Sequence, residues 1–359
     1  MSKLGDATRL LLEFSGFLGE STQARVPGND QGLRSSGPGT MRLDAGRPPI
    51  GLSYMRVLVT GGTGFIGSAV MRALLERGDE VTGFSRGVSK KPTAGLERVI
   101  WKTWDPEQDG AWQDALDGQD GIVHLTGEPA VGKRFTDSVK REILDSRVHS
   151  TQRIVRAIEK ARVKPRVLVH ASGVGFYGVK VGDAPLTESA PAGDDFMAEV
   201  CVAWEAAARE AAAFGTRVVA TRFGLVLGRD GGLLGKLVPI FRSFVGGPLG
   251  DGKQVMPWVH LSDVVGAILK GLDDPSLSGP VNVTAPNPVS NSELSSALGR
   301  VLRRPALLPA PGFALKMLYG GEGAAPILTG QRALPKALLD HGYTFRFPEL
   351  EPALRDLLA

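Results

Sequence analysis

The chain has 359 residues, enough for one large α/β domain with a smaller appendage or for two modest domains. Its 42 Lys and Arg against 38 Asp and Glu leave a net charge of +4 without a dense basic block, which excludes the electrostatic footprint of a nucleic-acid binder. A single cysteine, Cys201, excludes an intramolecular disulfide framework and a cysteine-rich zinc site and fits a reducing, cytoplasmic compartment, and no apolar run approaches the ~20 residues that span a bilayer.

Residues 1–54 differ in kind from the rest of the chain. "RLLLEFSGFL" has the pattern of a short amphipathic helix, after which Pro27, Pro38, Pro48 and Pro49, with Gly and Ser between them, punctuate the chain. Asp6, Glu13 and Glu20 argue against a transit peptide, and the apolar run is too short for a secretory signal. We expect a disordered extension here, with Met55 as the natural start of the fold.

From Met55 short apolar strands alternate with helices. The spacing predicts strands at 56–60, 80–85, 98–102, 121–126, 166–172 and 216–222, and helices at 65–77, about 112–116, 136–161 and 196–213. Such alternation gives a parallel sheet covered by helices on both faces, an α/β fold of the Rossmann-type doubly wound kind, over residues 55–225. Beyond Phe223 Gly-rich loops take over, with helices expected near 236–244, 263–272 and 291–302, a strand in "PVNVT", and a Pro-rich tail. Residues 226–359 are expected to form a smaller C-terminal α/β substrate lobe beyond the carboxyl ends of the strands, some elements of the two parts interleaving.

"TGGTGFIG" places Gly61, Gly64 and Gly67 at the first strand-to-helix junction. Gly61 permits the tight turn, Gly64 lets the backbone approach a pyrophosphate, and Gly67 lets helix and strand pack closely. The helix N-terminus, with Thr63, Phe65 and Ile66 around it, offers unsatisfied N–H groups to the anion. The second strand ends in Phe84-Ser85-Arg86, where an NAD-binding domain normally presents an acid to the ribose 2′-hydroxyl. Arg86, followed by Lys90 and Lys91, suits a 2′-phosphate instead and points to NADP(H); a solvated surface Arg is the other reading. Asp105 is placed either to meet the adenine amino group or to cap the helix after it. Leu125, Thr126 and Gly127 of "HLTGEP" would run beside the nicotinamide ribose.

Together "TGGTGFIG", "HLTGEP", "KREILDSRVHST", "ASGVGFYG", "TRFGLVLGRDGG", "GGPLGDGKQVMPWVHLSDVVGAI" and the C-terminal "GQRALPKALLDHGYTFRFPELEPAL" resemble the extended short-chain dehydrogenase/reductase superfamily. Within it they resemble an atypical epimerase-like family, some members labelled cell-division inhibitors, that carries a short C-terminal region of unknown function. The resemblance runs from Met55 to near the C-terminus. It implies oxidoreductase or epimerase/dehydratase chemistry in which a Tyr acts as general acid/base, a Lys four residues later on the same helical face lowers its pKa and holds the ribose, and a Ser orients the substrate. Taking Glu205 as the acid that follows the Lys by four, the Lys position is Cys201, the Tyr position Met197 and the Ser position Gly173. The usual relay is missing from that alignment.

Ser172 and Tyr177 are the candidate catalytic donors in its place, although a Tyr in that loop also packs readily under a substrate lobe. Cys201 reads as a small buried hydrophobe in preference to a reactive thiol. Glu128 is either a base beside the cofactor or an acceptor for Arg134 or Arg147, and Asp194-Asp195 reads as a helix cap. His124 and His260 read as structural, the latter tying the lobe to the core where Asp263 starts a helix. Lys133, Arg134, Arg147, Arg222 and Lys253 are candidates for an anionic pocket, with Arg222, ending a strand, expected to find a buried partner. Trp258 either faces a substrate or fills the lobe. Five His and one Cys lie too far apart for metal-ligand spacing.

Two functions stay open on these grounds. One is an NADP(H)-dependent oxidoreductase or epimerase-like enzyme with a small-molecule substrate of unnamed identity. The other is a non-catalytic NADP(H)-binding redox sensor or cell-division-related partner protein. A homodimer is the assembly considered, with no nucleic acid and no membrane as partner.

Overall fold

Apolar runs rather than alternating ones build the first strands, because both faces of their sheet are covered. In the computed structural model, which describes residues 54–87, 94–179, 184–229 and 231–358, these are β1 (Arg56–Thr60), β2 (Glu80–Ser85), β3 (Ile100–Thr103), β4 (Gly121–His124), β5 (Val167–Gly173) and β6 (Arg217–Phe223). The expectations for residues 1–53 and for Lys90 and Lys91 lie outside the described residues. Three long helices join the strands: α1 (Phe65–Arg77), α2 (Asp137–Lys160) and α3 (Phe196–Arg209). Thr136 caps α2 by accepting the Val139 N–H, and Asp195 caps α3 by accepting that of Ala198.

The chain then runs through β7 (Leu225–Gly228), α4 (Gly232–Arg242), β8 (Val255–Met256), β9 (Trp258–His260) and α5 (Leu261–Asp273). It returns to the main sheet as β10 (Gly279–Val283), followed by β11 (Val289–Ser290) and α6 (Asn291–Leu302). The main sheet has the order β10-β6-β5-β4-β1-β2-β3, with every pairing parallel. A boundary at residue 225 therefore does not separate two sheets, since β10 lies beside β6. Residues 55–359 form one compact unit.

One core joins Val59, Met71, Leu74, Val81 and Val169 to Ile268 of α5; on the other face Leu58, Ile122 and Leu168 pack against Ile154 and Ile158 of α2. The lobe has its own core, built from Leu227, Leu234, Phe241, Trp258, Leu294 and Leu354.

Several expectations need correction. The helix near 112–116 is a 3-10 turn (Ala111–Leu116), and that at 196–213 ends at Arg209 and tightens into a second one (Glu210–Phe214). The strand expected at 121–126 stops at His124, so Leu125 and Thr126 leave the sheet. The Pro-rich tail carries α7 (Gly312–Leu328), α8 (Lys336–Asp340) and α9 (Leu350–Leu358). Pro311 and Pro335 precede α7 and α8 as N-caps, where a missing N–H costs nothing, and Leu350, Ala353, Leu354 and Leu357 give α9 a helical apolar stripe.

Candidate functional site: a nucleotide cleft and two buried polar networks

Gly61 ends β1 in the left-handed region (φ 67°), where a Cβ would also come within 2.9 Å of the Leu125 carbonyl oxygen. A Cβ on Gly67 would collide with the Gly61 carbonyl, so the first turn of α1 lies hard against the end of the strand. The N-cap of α1 is Gly64 and no side chain caps it, which leaves bare helix N-terminal backbone facing outward.

That backbone borders a cavity of about 730 Å³, in the range of small-molecule and cofactor sites. Gly61, Thr63, Gly64, Ser85, Arg86, Leu125, Thr126 and Gly127 all line it. Phe65, Ile66 and Gly67 stand behind the turn: the Phe65 ring fills the space left by Gly228 and Gly231 of the lobe, and Ile66 packs on the core. Asp105 is not among the lining residues; its carboxylate accepts the Glu107 N–H at 2.8 Å, closing a local turn. Sequence reasoning missed the cavity wall given by Trp104, Glu107 and a face of α2. Glu142, Asp145, Ser146, His149 and Arg153 follow one another at helical spacing, the signal that could have found them.

Arg86 is exposed at the end of β2 and stands 3.6 Å from Glu128 in the loop after β4. Glu128 thus meets Arg86 at ion-pair distance, not Arg134 or Arg147. An exposed pair of this kind contributes little to stability and is readily exchanged for another partner.

Behind the loop runs a chain of buried hydrogen bonds. Thr126 Oγ1 and the Leu125 N–H both donate to Thr60 Oγ1, which stands 2.7 Å from His124 Nδ1. His124 Nε2 is 3.0 Å from Thr151 Oγ1, and Thr151 in turn donates to the Arg147 carbonyl at 2.8 Å and accepts from Trp204 Nε1. The directions at both threonines make Nε2 the protonated nitrogen of a neutral imidazole. Full burial holds the His124 pKa down to about 3. His170 lies 5.9 Å from it, ring to ring, fully buried with neither ring nitrogen hydrogen-bonded.

A second network surrounds Arg222. Its guanidinium meets Glu205 through Nε (2.8 Å) and Nη2 (2.9 Å), both side chains being 3% exposed, and lies over the Phe176 ring at 3.4 Å. Ser172 donates to the same carboxylate at 2.7 Å. Tyr177 accepts from Arg222 Nη1 and donates to Asn282 Oδ1 at 2.7 Å, while Asn282 Nδ2 reaches the Leu334 carbonyl. Arg222 has its buried partner. Ser172 and Tyr177 are brought together through Arg222 and Glu205, but both hydroxyls are directed into this interior network, and neither lines the cavity. Burial raises the Tyr177 pKa.

Cys201 is buried beside Ser172, and burial, with Glu205 nearby, pushes its thiol up to about 11. Met197 is its neighbour one turn earlier on α3, both beside Gly175. His260 caps α5 by accepting the Ser262 N–H, and its Nε2 is 3.4 Å from Asp356 of α9. Asp263 is buried in the first turn of α5 and accepts the Arg346 and Phe347 N–H groups. Trp258 is fully buried in the lobe core. The five candidate cations do not converge: Lys133 stands near Glu142, Arg134 beside Gly320, Lys253 is exposed, Arg147 packs on Gly127, and none of the five is among the residues that line the cavity. Among the described residues no group of three or more His, Cys, Asp or Glu could hold a metal ion, and no helix is long and apolar enough to cross a membrane.

Known proteins match both parts of the chain. The "NAD dependent epimerase/dehydratase family" matches residues 57–283, and a domain of unknown function, DUF1731, matches residues 310–357. The chain is 38% identical over 312 residues to the chloroplastic "Epimerase family protein SDR39U1 homolog" of Arabidopsis thaliana, covering 85% of this chain and 87% of that one. It is 35% identical over 305 residues to "Epimerase family protein YfhF" of Bacillus subtilis, covering 85% and 98%. The crystal structure of human epimerase family protein SDR39U1 with NADPH is similar at a TM-score of 0.75 and 37% identity, covering 85% of this chain and 99% of that chain.

Proposed function

The chain belongs to the NAD dependent epimerase/dehydratase family, and from that premise we propose that it is an NADP(H)-binding, epimerase/dehydratase-like oxidoreductase for a small-molecule substrate. We further propose that it works without the usual Tyr and Lys, with Met197 and Cys201 in their places. The observation that carries the cofactor assignment is Arg86. It follows β2 on the wall of the cavity that the glycine turn borders, and the strand itself ends in Ser85 where an acid would favour an unphosphorylated ribose. In this reading the bare backbone of Gly61 to Gly67 takes the pyrophosphate, Arg86 leaves Glu128 for the 2′-phosphate, and Leu125 to Gly127 border the second ribose. NADP(H), when bound, supplies a hydride donor or acceptor. The human relative crystallised with NADPH supports the same assignment.

The test is a paired titration with NADPH and NADH, followed by nicotinamide fluorescence, on the unaltered protein and on Arg86→Asp. A preference for NADPH that the substitution lowers by about tenfold or more agrees with the assignment, since that ratio corresponds to one charge-assisted contact. Equal affinity for the two nucleotides, unmoved by Arg86→Asp, overturns it.

A second reading is favoured by Cys201. A buried thiol held protonated cannot lower the pKa of a neighbouring donor, and Ser172 and Tyr177 are engaged with Glu205, Arg222 and Asn282. On that observation the protein binds NADP(H) without turning it over, as a redox sensor or a partner in cell division. NADPH consumption across a panel of small carbonyl compounds, abolished by Ser172→Ala or Tyr177→Phe in protein that still binds NADPH, decides for the enzyme. We place the protein in the cytoplasm on its single cysteine, and without a nucleic-acid partner on its charge balance.

A further inference from the structure

The outward face of α7 carries the wrong residues for a surface helix. Ala314, Leu315 and Tyr319 are buried, yet the face turned away from them presents Phe313, Lys316 and Met317. Phe313 is 67% and Met317 70% exposed, one turn apart on the same side of the helix, where a surface helix ordinarily turns polar side chains outward. The chain leading into α7 continues the pattern, with Leu307 80% and Leu308 50% exposed. It is tied to the chain after α4, since the Leu308 N–H donates to the Gly246 carbonyl and the Ala310 N–H to that of Pro248. Phe244, 56% exposed, stands there in the left-handed region (φ 64°), at the position after a helix that glycine ordinarily takes. The Arg304 guanidinium covers its ring at 4.6 Å. Among the described residues the three most exposed large apolar side chains, Leu307, Met317 and Phe313, thus belong to this one stretch of chain.

The charge around these side chains has one sign. Residues 231–250 and 294–321 contain Lys236, Arg242, Arg300, Arg303, Arg304 and Lys316 and no Asp or Glu. Arg300 pairs with Glu351, but among the described residues no carboxylate stands within ion-pair distance of Arg242, Arg303, Arg304 or Lys316. Glu322, just beyond, is taken by Lys140, and Asp251 on the neighbouring loop accepts the Lys253 N–H. A second copy is a poor occupant, because two such faces would bring like charges together. A protein segment would need a concave apolar groove, whereas Leu307, Phe313 and Met317 stand two-thirds or more in solvent.

We propose that this face, centred on Leu307, Phe313 and Met317 and rimmed by Arg303 and Lys316, docks on an anionic lipid surface. The apolar side chains enter the boundary between headgroups and acyl chains, while the guanidinium and ammonium groups meet lipid phosphates. A bilayer touched in this way needs no spanning helix, and the expectation of no membrane partner, which rests on the lack of a spanning run, does not bear on it. The cytoplasmic leaflet supplies the negative surface. No part of the nucleotide cleft takes part, so the inference is independent of the NADP(H) reading.

The test is co-sedimentation of the full chain with vesicles of phosphatidylcholine alone and of phosphatidylcholine with phosphatidylglycerol in equal parts. Binding is expected to the mixed vesicles and should weaken with added salt. Phe313→Ser combined with Met317→Ser should lower the partition constant by about tenfold or more. Arg303→Gln combined with Lys316→Gln should lower it by about twentyfold, the effect of two charges near an anionic surface. All four side chains are exposed, so the urea midpoint of either variant is expected to match that of the unaltered protein. Should the first variant shift it, Leu307→Ser carries the apolar comparison. No binding to the mixed vesicles overturns the inference, as does equal binding to both kinds of vesicle. Binding left intact by both double variants overturns it as well, since another part of the chain then holds the lipid. A concentration-dependent dimer that the apolar variant abolishes, in protein that ignores the vesicles, gives the face to a second copy instead.

Discussion

Arg222 is the side chain on which the two expected donors depend. Glu205 occupies its Nε and Nη2, Tyr177 its Nη1, and Ser172 completes the carboxylate. Removing one member leaves the others desolvated and unpaired. Glu205→Ala strands a buried guanidinium and should cost about 3–5 kcal/mol of stability. Tyr177→Phe leaves Asn282 Oδ1 and one Arg222 N–H short of a partner and should cost about 1–3 kcal/mol. Urea unfolding checks both, with NADPH affinity of the folded Tyr177→Phe protein expected to stay within about twofold. A Tyr177→Phe protein of unaltered stability would show that the hydroxyl is free for other work. That Arg222 needs a partner is legible in the sequence, because a guanidinium ending an apolar strand cannot stay charged and alone. That Tyr177 is part of the answer is not, since its acceptor, Asn282, comes from β10, 105 residues further on. Arg86 is legible for the opposite reason: its place at the end of β2 is fixed by local pattern alone.

Elements far down the chain hold the lobe in place. Of these α9 is the plainest case, with Leu350, Ala353, Leu354 and Leu357 all buried in the lobe core against α6 and α4 residues. Leu354→Ala should destabilise by about 2–5 kcal/mol, the usual range for a buried leucine, as read from the urea midpoint. Asp263 does the complementary polar work, its carboxylate accepting the Arg346 and Phe347 N–H groups just before α9. Asp263→Ala leaves two backbone donors unmet and should open amide exchange at Arg346 and Phe347 before exchange in β1 is affected. The long α-helices are legible because caps and apolar periodicity agree: Thr136 before α2 and Asp195 before α3 mark their starts. The tail is harder to read. Its prolines suggest irregular chain, yet Pro311 and Pro335 sit where helices begin, and the two-residue strands β8 and β11 exist only because they pair with each other. No local pattern encodes a pairing between residues more than thirty positions apart.

At the scale of the molecule three histidines share one physical condition. His124 and His170 lie in the sheet core and His260 joins the lobe to α9, and burial lowers the pKa of each, that of His124 to about 3. Near Asp356 the charged form of His260 gains some support, but burial outweighs it. A histidine held neutral in the folded state takes up its proton only on unfolding. The unfolded chain therefore binds more protons than the folded one below about pH 6.5, and stability must fall as the pH drops through that value. Each such histidine contributes up to about 1.4 kcal/mol per pH unit, and for His124 the fall continues toward about pH 3. Carboxylates whose pKa is lowered, such as Asp109 and Glu351, act in the same direction, but only below the ordinary carboxylate range. Between pH 6.5 and 5 the slope thus belongs to the histidines. His170 is the informative one to replace, because neither of its ring nitrogens is bonded and an apolar side chain forfeits no hydrogen bond there. His170→Leu should match or exceed the unaltered protein in stability at pH 7.5 and lose stability less steeply down to pH 5, by about one proton's worth. Urea midpoints at pH 7.5, 6 and 5 measure both slopes. Parallel slopes would mean that His170 is already protonated in the fold, which its unbonded, apolar setting beside Trp204 does not permit.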